Sequence, residues 1–285
     1  LAGIEIPDDA GIEFLNVLIS RTRYSRMNQF VKWTAAVAVA AVFCITQNAN
    51  AQTDPRYKQH DRTRPLPTLI DPGTASTQKE AGRPPSDATV LFDGKDLSKW
   101  ADSKGNDAKW KVEHGYFEVV PHTGDIYTRQ PLGDMQLHLE FSEPVPAVGK
   151  DQDRGNSGVI LMGQFEVQVL DSYHSDTYAD GQAGAVYGQY PPLVNAVRAP
   201  GQWQSYDIIF HGPRFDKDGN LTRKAHVTVL HNGVLVQDNV EIEGITAMSN
   251  PVYKPIPDKL PLRLQDHGHK VRYRNIWVRE LAEGQ

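Results

Sequence analysis

Apolar side chains at every second position constrain this chain more than any other feature. Met135, Leu137, Leu139 and Phe141 alternate with polar residues, as do Phe165, Val167 and Val169, and Tyr206, Ile208 and Phe210. Successive strand side chains point to opposite faces, so each run predicts a strand buried on one face. Between Ala225 and Val236, Val227 and Val229 lead into Asn232-Gly233, then Val234 and Val236 follow. Asn-Gly between alternating runs predicts a two-residue hairpin, because its turn needs positive φ at both central positions. Leu262/Leu264 and Tyr273 to Val278 predict two closing strands. No helical periodicity of useful length follows residue 51. The expectation is an all-β fold, a two-sheet antiparallel jelly-roll sandwich over 88–282, with a closed barrel as the alternative.

The N-terminal part reads differently. The one strongly apolar stretch, Thr34 to Ile45, is too short to span a bilayer as a helix, which needs about twenty residues. Lys32 precedes it and Ala49-Asn50-Ala51 follows. Charged start, short apolar middle and small-x-small end predict a signal peptide over 27–51, opened by Met27 and cleaved after Ala51. Residues 1–26, beginning at Leu1, then read as upstream sequence translated from a misplaced start. The alternative is a genuine extension followed by an anchor. Residues 52–87 are rich in Pro, Thr, Asp and Arg and lack apolar periodicity, which predicts a disordered or extended linker.

Composition narrows the function. Cys44, the single cysteine, lies inside the predicted signal. The mature chain therefore has neither an internal disulfide nor a cysteine-based zinc site, and export predicts a periplasmic or secreted protein. With 30 basic and 35 acidic residues the net charge is −5, no footprint for a phosphate backbone, so nucleic acid is excluded as a natural partner. The chain also has no Gly-Lys-Ser/Thr phosphate loop, no Gly-x-Ser-x-Gly elbow and no His-Glu-x-x-His helix.

Candidate chemistry gathers in two segments. Glu166 and Gln168, two apart on one predicted strand, share the face opposite Phe165, Val167 and Val169; Asp171 reaches that face only through a bulge or the strand end. In Leu262-Arg-Leu-Gln-Asp-His-Gly268, His267 can move protons near neutral pH and Asp266 could orient it. Tyr173, Tyr178, Tyr187, Tyr190 and Trp203 could stack on sugars or fill a core. Asp216-Lys-Asp-Gly-Asn220 begins like a calcium loop, but Val227 stands where the bidentate acid belongs, so a hairpin loop is expected. Asp171, His174, Asp176 and Asp180 form an acidic loop that could hold a divalent cation, without a strong metal spacing.

Six ordered blocks resemble the 3-keto-disaccharide hydrolase domain family. They are Leu91-Phe-Asp-Gly-Lys-Asp-Leu-Ser-Lys-Trp100, Arg154-Gly-Asn-Ser-Gly158, Phe165-Glu-Val-Gln-Val-Leu-Asp-Ser-Tyr173, Tyr187-Gly-Gln-Tyr-Pro-Pro192, Trp203-Gln-Ser-Tyr-Asp207 and Leu264-Gln-Asp-His-Gly268. The resemblance implies a concanavalin A-like sandwich, bacterial export and cleavage of glycosidic bonds in 3-keto-glucosides, by hydrolysis or elimination, with carbohydrate as the partner. It implies Glu166, His267, Asp171 and Gln168 as catalytic candidates. Asn156, Arg154, Gln265, Asp266, Tyr173, Tyr187, Gln189 and Trp203 are the implied substrate-binding candidates. No cofactor follows with certainty; a divalent cation could polarise the substrate carbonyl. A two-carboxylate glycosidase using Glu166 and Asp171, and a non-catalytic carbohydrate-binding module, are the competing readings.

Overall fold

The structure, a computed structural model, describes residues 59–282. Both the predicted signal peptide and the segment before it lie outside the described residues. Two compact units divide the chain at 67/68. In the described end of the first, Asp61 accepts hydrogen bonds from the Thr63 backbone N–H and hydroxyl.

The second unit is built almost wholly of strands. In chain order they are β1 (Thr89–Phe92), β2 (Trp100–Ala101), β3 (Lys111–Glu113), β4 (Tyr116–Glu118), β5 (Ile126–Thr128), β6 (Met135–Ser142), β7 (Ser157–Leu161) and β8 (Phe165–Val169). Then follow β9 (Gln204–His211), β10 (Arg214–Phe215), β11 (Leu221–Arg223), β12 (His226–His231), β13 (Val234–Glu241), β14 (Arg263–Leu264) and β15 (Arg272–Glu280). Among the described residues the only helical turn is a 3-10 turn over Ala179–Gly181.

Two sheets carry the fold. The larger has eight strands, in the order β13-β12-β9-β6-β15-β4-β3 with β1 also on β15; the smaller has five, in the order β2-β5-β14-β7-β8. Every pairing is antiparallel. The alternating residues behave as their period dictates. Met135, Leu137, Leu139 and Phe141 of β6 meet Phe165, Val167 and Val169 of β8, Tyr206, Ile208 and Phe210 of β9, and Tyr273 and Val278 of β15 in one apolar cluster. The fold is therefore all-β, two antiparallel sheets closed over one core. Asn232 and Gly233 take φ of 54° and 79° between β12 and β13, the left-handed pair the hairpin needs.

Asp216 explains why its loop is a hairpin. Its carboxylate accepts from the N–H groups of Asp218 and Asn220 and from the Asn220 amide, so the loop uses its own acid. Asp102 does the same with Lys104 and Asn106. Both loops read Asp-x-x-Gly-Asn, and the same sequence builds the same turn.

Residues 68–87 carry neither helix nor strand. They nevertheless belong to the second unit and fold back on themselves: Thr74 N–H donates to the Arg83 carbonyl at 3.0 Å, and Ser86 N–H to the Asp71 carbonyl at 2.9 Å. The Arg274 guanidinium and the Gln78–Trp203 pair of hydrogen bonds fix this strap to the large sheet. Residues 68–87 are thus without helix or strand, yet anchored on the large sheet.

Glu143, directly after β6, is 1% exposed. One carboxylate oxygen accepts from the Gln204 amide at 3.0 Å and the other has no partner among the described residues. Burial, with Asp171 nearby, pushes its pKa up to about 8. A carboxyl whose pKa is raised on folding favours the native state at low pH, and that advantage is lost between its ordinary value and about 8. Glu143→Gln removes the ionisable group and keeps an acceptor for Gln204. Its thermal midpoint should match the parent at about pH 5 and exceed it at about pH 9, by an amount worth a few kcal/mol at most. Equal midpoints under the alkaline condition would show that Glu143 ionises without cost.

Candidate active site

Register sorts the residues of β7 and β8. Ser157, Val159 and Leu161 pair with Val169, Val167 and Phe165 on the core side. Gly158 pairs with Gln168, and Ile160 with Glu166, so these four face outward. Arg263 of β14 pairs with Ile160 and joins them. The outer face of the five-stranded sheet thus brings together Glu166, Gln168, Arg263 and a glycine.

Glu166 is buried there although it faces away from the core, at 6% exposure. The segment 184–187 runs alongside β8: Gly184 N–H donates to the Gln168 carbonyl and Tyr187 N–H to the Glu166 carbonyl. Thr246 takes the Glu166 backbone N–H at 3.0 Å. Gly158 supplies the room, because a Cβ at that position would lie 2.4 Å from Glu166 Oε1. Among the described residues nothing hydrogen-bonds the Glu166 carboxylate. Burial raises its pKa, the Arg263 charge opposes that and the Asp125 charge adds to it, leaving it at about 7.

Arg263 and Gln265 sit at the strand end beside it. Arg263 Nη1 lies 3.5 Å from Asp125 Oδ2, and its Nε is buried without a partner among the described residues. The Gln265 backbone is pinned on both sides, its N–H to the Gly158 carbonyl and its carbonyl to the Ser157 hydroxyl. The buried Gln265 side-chain oxygen has no partner among the described residues. Unpaired buried polar atoms are costly in the free protein and are satisfied when a polar ligand enters.

Gln168 is committed differently. Its amide donates to Gln152 Oε1 at 2.9 Å, and its oxygen accepts from the Val169 N–H. Gln152 in turn donates to Thr177 and Gly181 and accepts from Asn156 at its carbonyl. Gln168 and Asn156 therefore brace one wall through Gln152. Tyr187 and Tyr178 share a hydroxyl–hydroxyl contact of 2.6 Å on the same side.

Other candidates lie elsewhere. Asp171 does not join Glu166: Arg154 Nε holds its Oδ2 at 2.7 Å and the Tyr173 N–H holds its Oδ1, beside buried Glu143. Two residues past Val169, it has returned to the core-side parity. Asp266 does not orient His267; its oxygens accept from the Gly124 and Gly268 N–H groups. His267 is exposed and stacks on His269 at 6.0 Å, and it is His269 that pairs with a carboxylate, Asp153, at 3.2 Å. The Tyr173 ring packs against His174. Gln189 bridges the Gly244 carbonyl and the Glu243 N–H. Trp203 stands on the large sheet, under the Arg274 guanidinium. Among the described residues no three His, Cys, Asp or Glu side chains converge on a metal-sized site, the acidic loop included.

Sequence reading misses Gly158, Arg263, Asp125 and Gln152. Arg263 is open to it, since it alternates with Leu262 and Leu264 two residues before Gln265. A glycine in mid-strand is a signal for Gly158. Asp125 and Gln152 arrive from loops distant in sequence and have none.

A family model described as 3-keto-alpha-glucoside-1,2-lyase-like domain matches residues 87–279. The chain belongs to that family. The matched 3-keto-alpha-glucoside-1,2-lyase-like domain begins just before β1 and ends within β15. A solved structure described as a candidate glycosyl hydrolase from Parabacteroides distasonis ATCC 8503 is similar at 44% identity and TM-score 0.73, covering 76% of this chain and 93% of that one. A second from the same organism, at 23% identity and TM-score 0.52 over 69% and 94%, shares the fold. Among curated proteins none matches.

The Arg154–Asp171 pair is a structural pin in this domain. Removing one partner of a buried ion pair costs about 3–5 kcal/mol, because the other charge is left alone. Arg154→Met should lose stability of that order in urea unfolding at neutral pH, and Asp171→Asn, which keeps acceptors and donors, should lose less. Equal stability of Arg154→Met and the parent would mean that the pair is dispensable.

Proposed function

We propose that this chain is an exported carbohydrate-active enzyme that cleaves 3-keto-glucosides, with Glu166 as the general base. The observation that carries the reading is the Glu166 carboxylate, buried, free of hydrogen bonds among the described residues and held at about 7 over Gly158. A base is most effective when its pKa lies near the working pH. Family membership and the similarity to a glycosyl hydrolase candidate support the substrate class. The signal-like segment 27–51 supports export.

The chemistry follows from the ketone. A carbonyl at C3 acidifies the hydrogen on C2. Glu166 takes that proton, the C2–H electrons move into the C3 carbonyl, and an enolate forms. The enolate collapses to expel the C1 oxygen, which takes up the proton that Glu166 removed from C2, and a C1=C2 double bond remains. Addition of water across it, hydroxyl at C1 and hydrogen at C2, gives 3-keto-glucose, completing net hydrolysis. Developing charge on the C3 oxygen needs fixed donors. The Arg263 guanidinium, whose Nε has no partner among the described residues, is the donor with capacity to spare, whereas Gln168 and Asn156 are occupied with Gln152. A glycosidase with two carboxylates would need Asp171 beside Glu166, and Arg154 holds it elsewhere.

The test is parallel incubation of 3-keto-trehalose and trehalose, with protein stripped of and loaded with divalent metal, following glucose release. Only the keto-sugar should be cleaved. Glu166→Gln should lower kcat by about 100- to 10,000-fold, the usual worth of a general base. Because Glu166 must be ionised, kcat/KM should rise with pH and level off above about 7. Cleavage of trehalose itself, or full activity in Glu166→Gln, would overturn the proposal.

A further inference from the structure

The large sheet has an outer face too, and its polar residues stand in register. Asp207 of β9, His138 of β6 and Trp277 of β15 form one cross-strand row; Ser205, Glu140 and Arg274 form the next. Such a face is ordinarily solvated. Here Glu140 and Arg274 are buried, because the strap 68–87 lies over them: the Ser76 hydroxyl donates to Glu140, and Arg274 donates to the Thr77 carbonyl. Between strap and sheet remains a cavity of about 680 Å³. That lies inside the usual range for small-molecule sites, about 300–1,000 Å³.

The walls are preset. Arg274 pairs with Glu140 at 2.7 Å and covers the Trp203 ring at 4.3 Å. His138 stacks on Trp277 at 5.1 Å and binds Asp207 at 2.7 Å. Burial alone would lower the His138 pKa, but Asp207 and Glu140 outweigh it and hold it at about 9, so the ring is cationic at neutral pH. Two cations and two anions then cancel. Two groups keep capacity. One Asp207 oxygen is committed to His138; the other has no partner among the described residues, and the side chain is 40% exposed. Arg198 is anchored through Nη1 to the Trp203 carbonyl and to Asn232, and its remaining side-chain nitrogens are unused among the described residues. A fixed carboxylate acceptor and a fixed guanidinium donor are what the hydroxyls of a neutral sugar offer partners for: they donate to the first and accept from the second.

We propose that this cavity is a second saccharide-binding site, for an uncharged gluco-oligosaccharide, on the sheet opposite the Glu166 face. Its wall from residue 72 to 85 precedes the region matched by the family model. It holds bound sugar and has no part in cleavage.

The test uses the full mature chain with Glu166→Gln, so that no turnover intervenes, titrated calorimetrically with trehalose and with cellotriose. Saturable binding of at least one sugar with Kd below about 10 mM is expected. Asp207→Ala and Ser205→Phe, the latter filling the cavity without removing a charge, should each weaken it tenfold or more. On the wild-type background Ser205→Phe should leave 3-keto-trehalose cleavage unchanged. Absence of binding for both sugars up to about 50 mM, unchanged binding in either folded variant, or loss of cleavage in Ser205→Phe would overturn the second site. An enzyme without keto-sugar activity that still binds through Asp207 would refute the catalytic reading and leave this one standing.

Discussion

Burial of one face of each of the two large sheets in a single shared core decides where this molecule can do chemistry. Because β6, β8, β9 and β15 each commit alternate side chains inward, the remaining alternate positions can only face out. Two sheets therefore give two outer faces, and each has been covered in part: one by the chain beside β8, the other by the strap before β1. The polar residues that matter are those that face outward and are roofed.

Two glutamates show what the roofing does. Glu140 and Glu166 are both outward-facing and nearly inaccessible. Burial raises the pKa of each. Glu140 meets His138, Ser76, Asn275 and Arg274, and these hold it down at about 2. Glu166 meets no donor among the described residues and feels Arg263 only as a distant charge, so it stays at about 7. The first is a fixed anion that organises its neighbours. The second can change its charge at neutral pH, and the donors that would silence it are absent because Gly158 offers no side chain and Arg263 is turned toward Asp125.

Period-two alternation makes the strands legible in the sequence, and with them the shared face of Glu166 and Gln168. Asn232-Gly233 makes the β12–β13 hairpin legible for the same local reason. Asp171 shows where locality ends. The strand stops at Val169, and whether the next acid turns toward the groove depends on Arg154, held by a contact across the turn. Trp203 falls among the groove aromatics in chain order, yet its place directly before β9 sets it beside the large sheet, under Arg274. The strap over the large sheet is illegible because its anchors, Ser76 to Glu140 and Gln78 to Trp203, join residues far apart in sequence without hydrophobic pattern.

A raised carboxyl pKa does not by itself mark a reactive group, and Glu143 is the internal control. It is pushed up to about 8, further than Glu166, and for the same first cause. But it follows β6 on the core side, tied to Gln204 and beside Asp171, where its charge is felt by the buried hydroxyls of Tyr206 and Tyr273. A sugar cannot reach it without parting the sheets. Glu166 is distinguished by its direction: it points away from the core, next to polar atoms of Arg263 and Gln265 that are unpaired among the described residues. Desolvation raises both glutamates toward neutral pH, and strand parity turns only Glu166 away from the core.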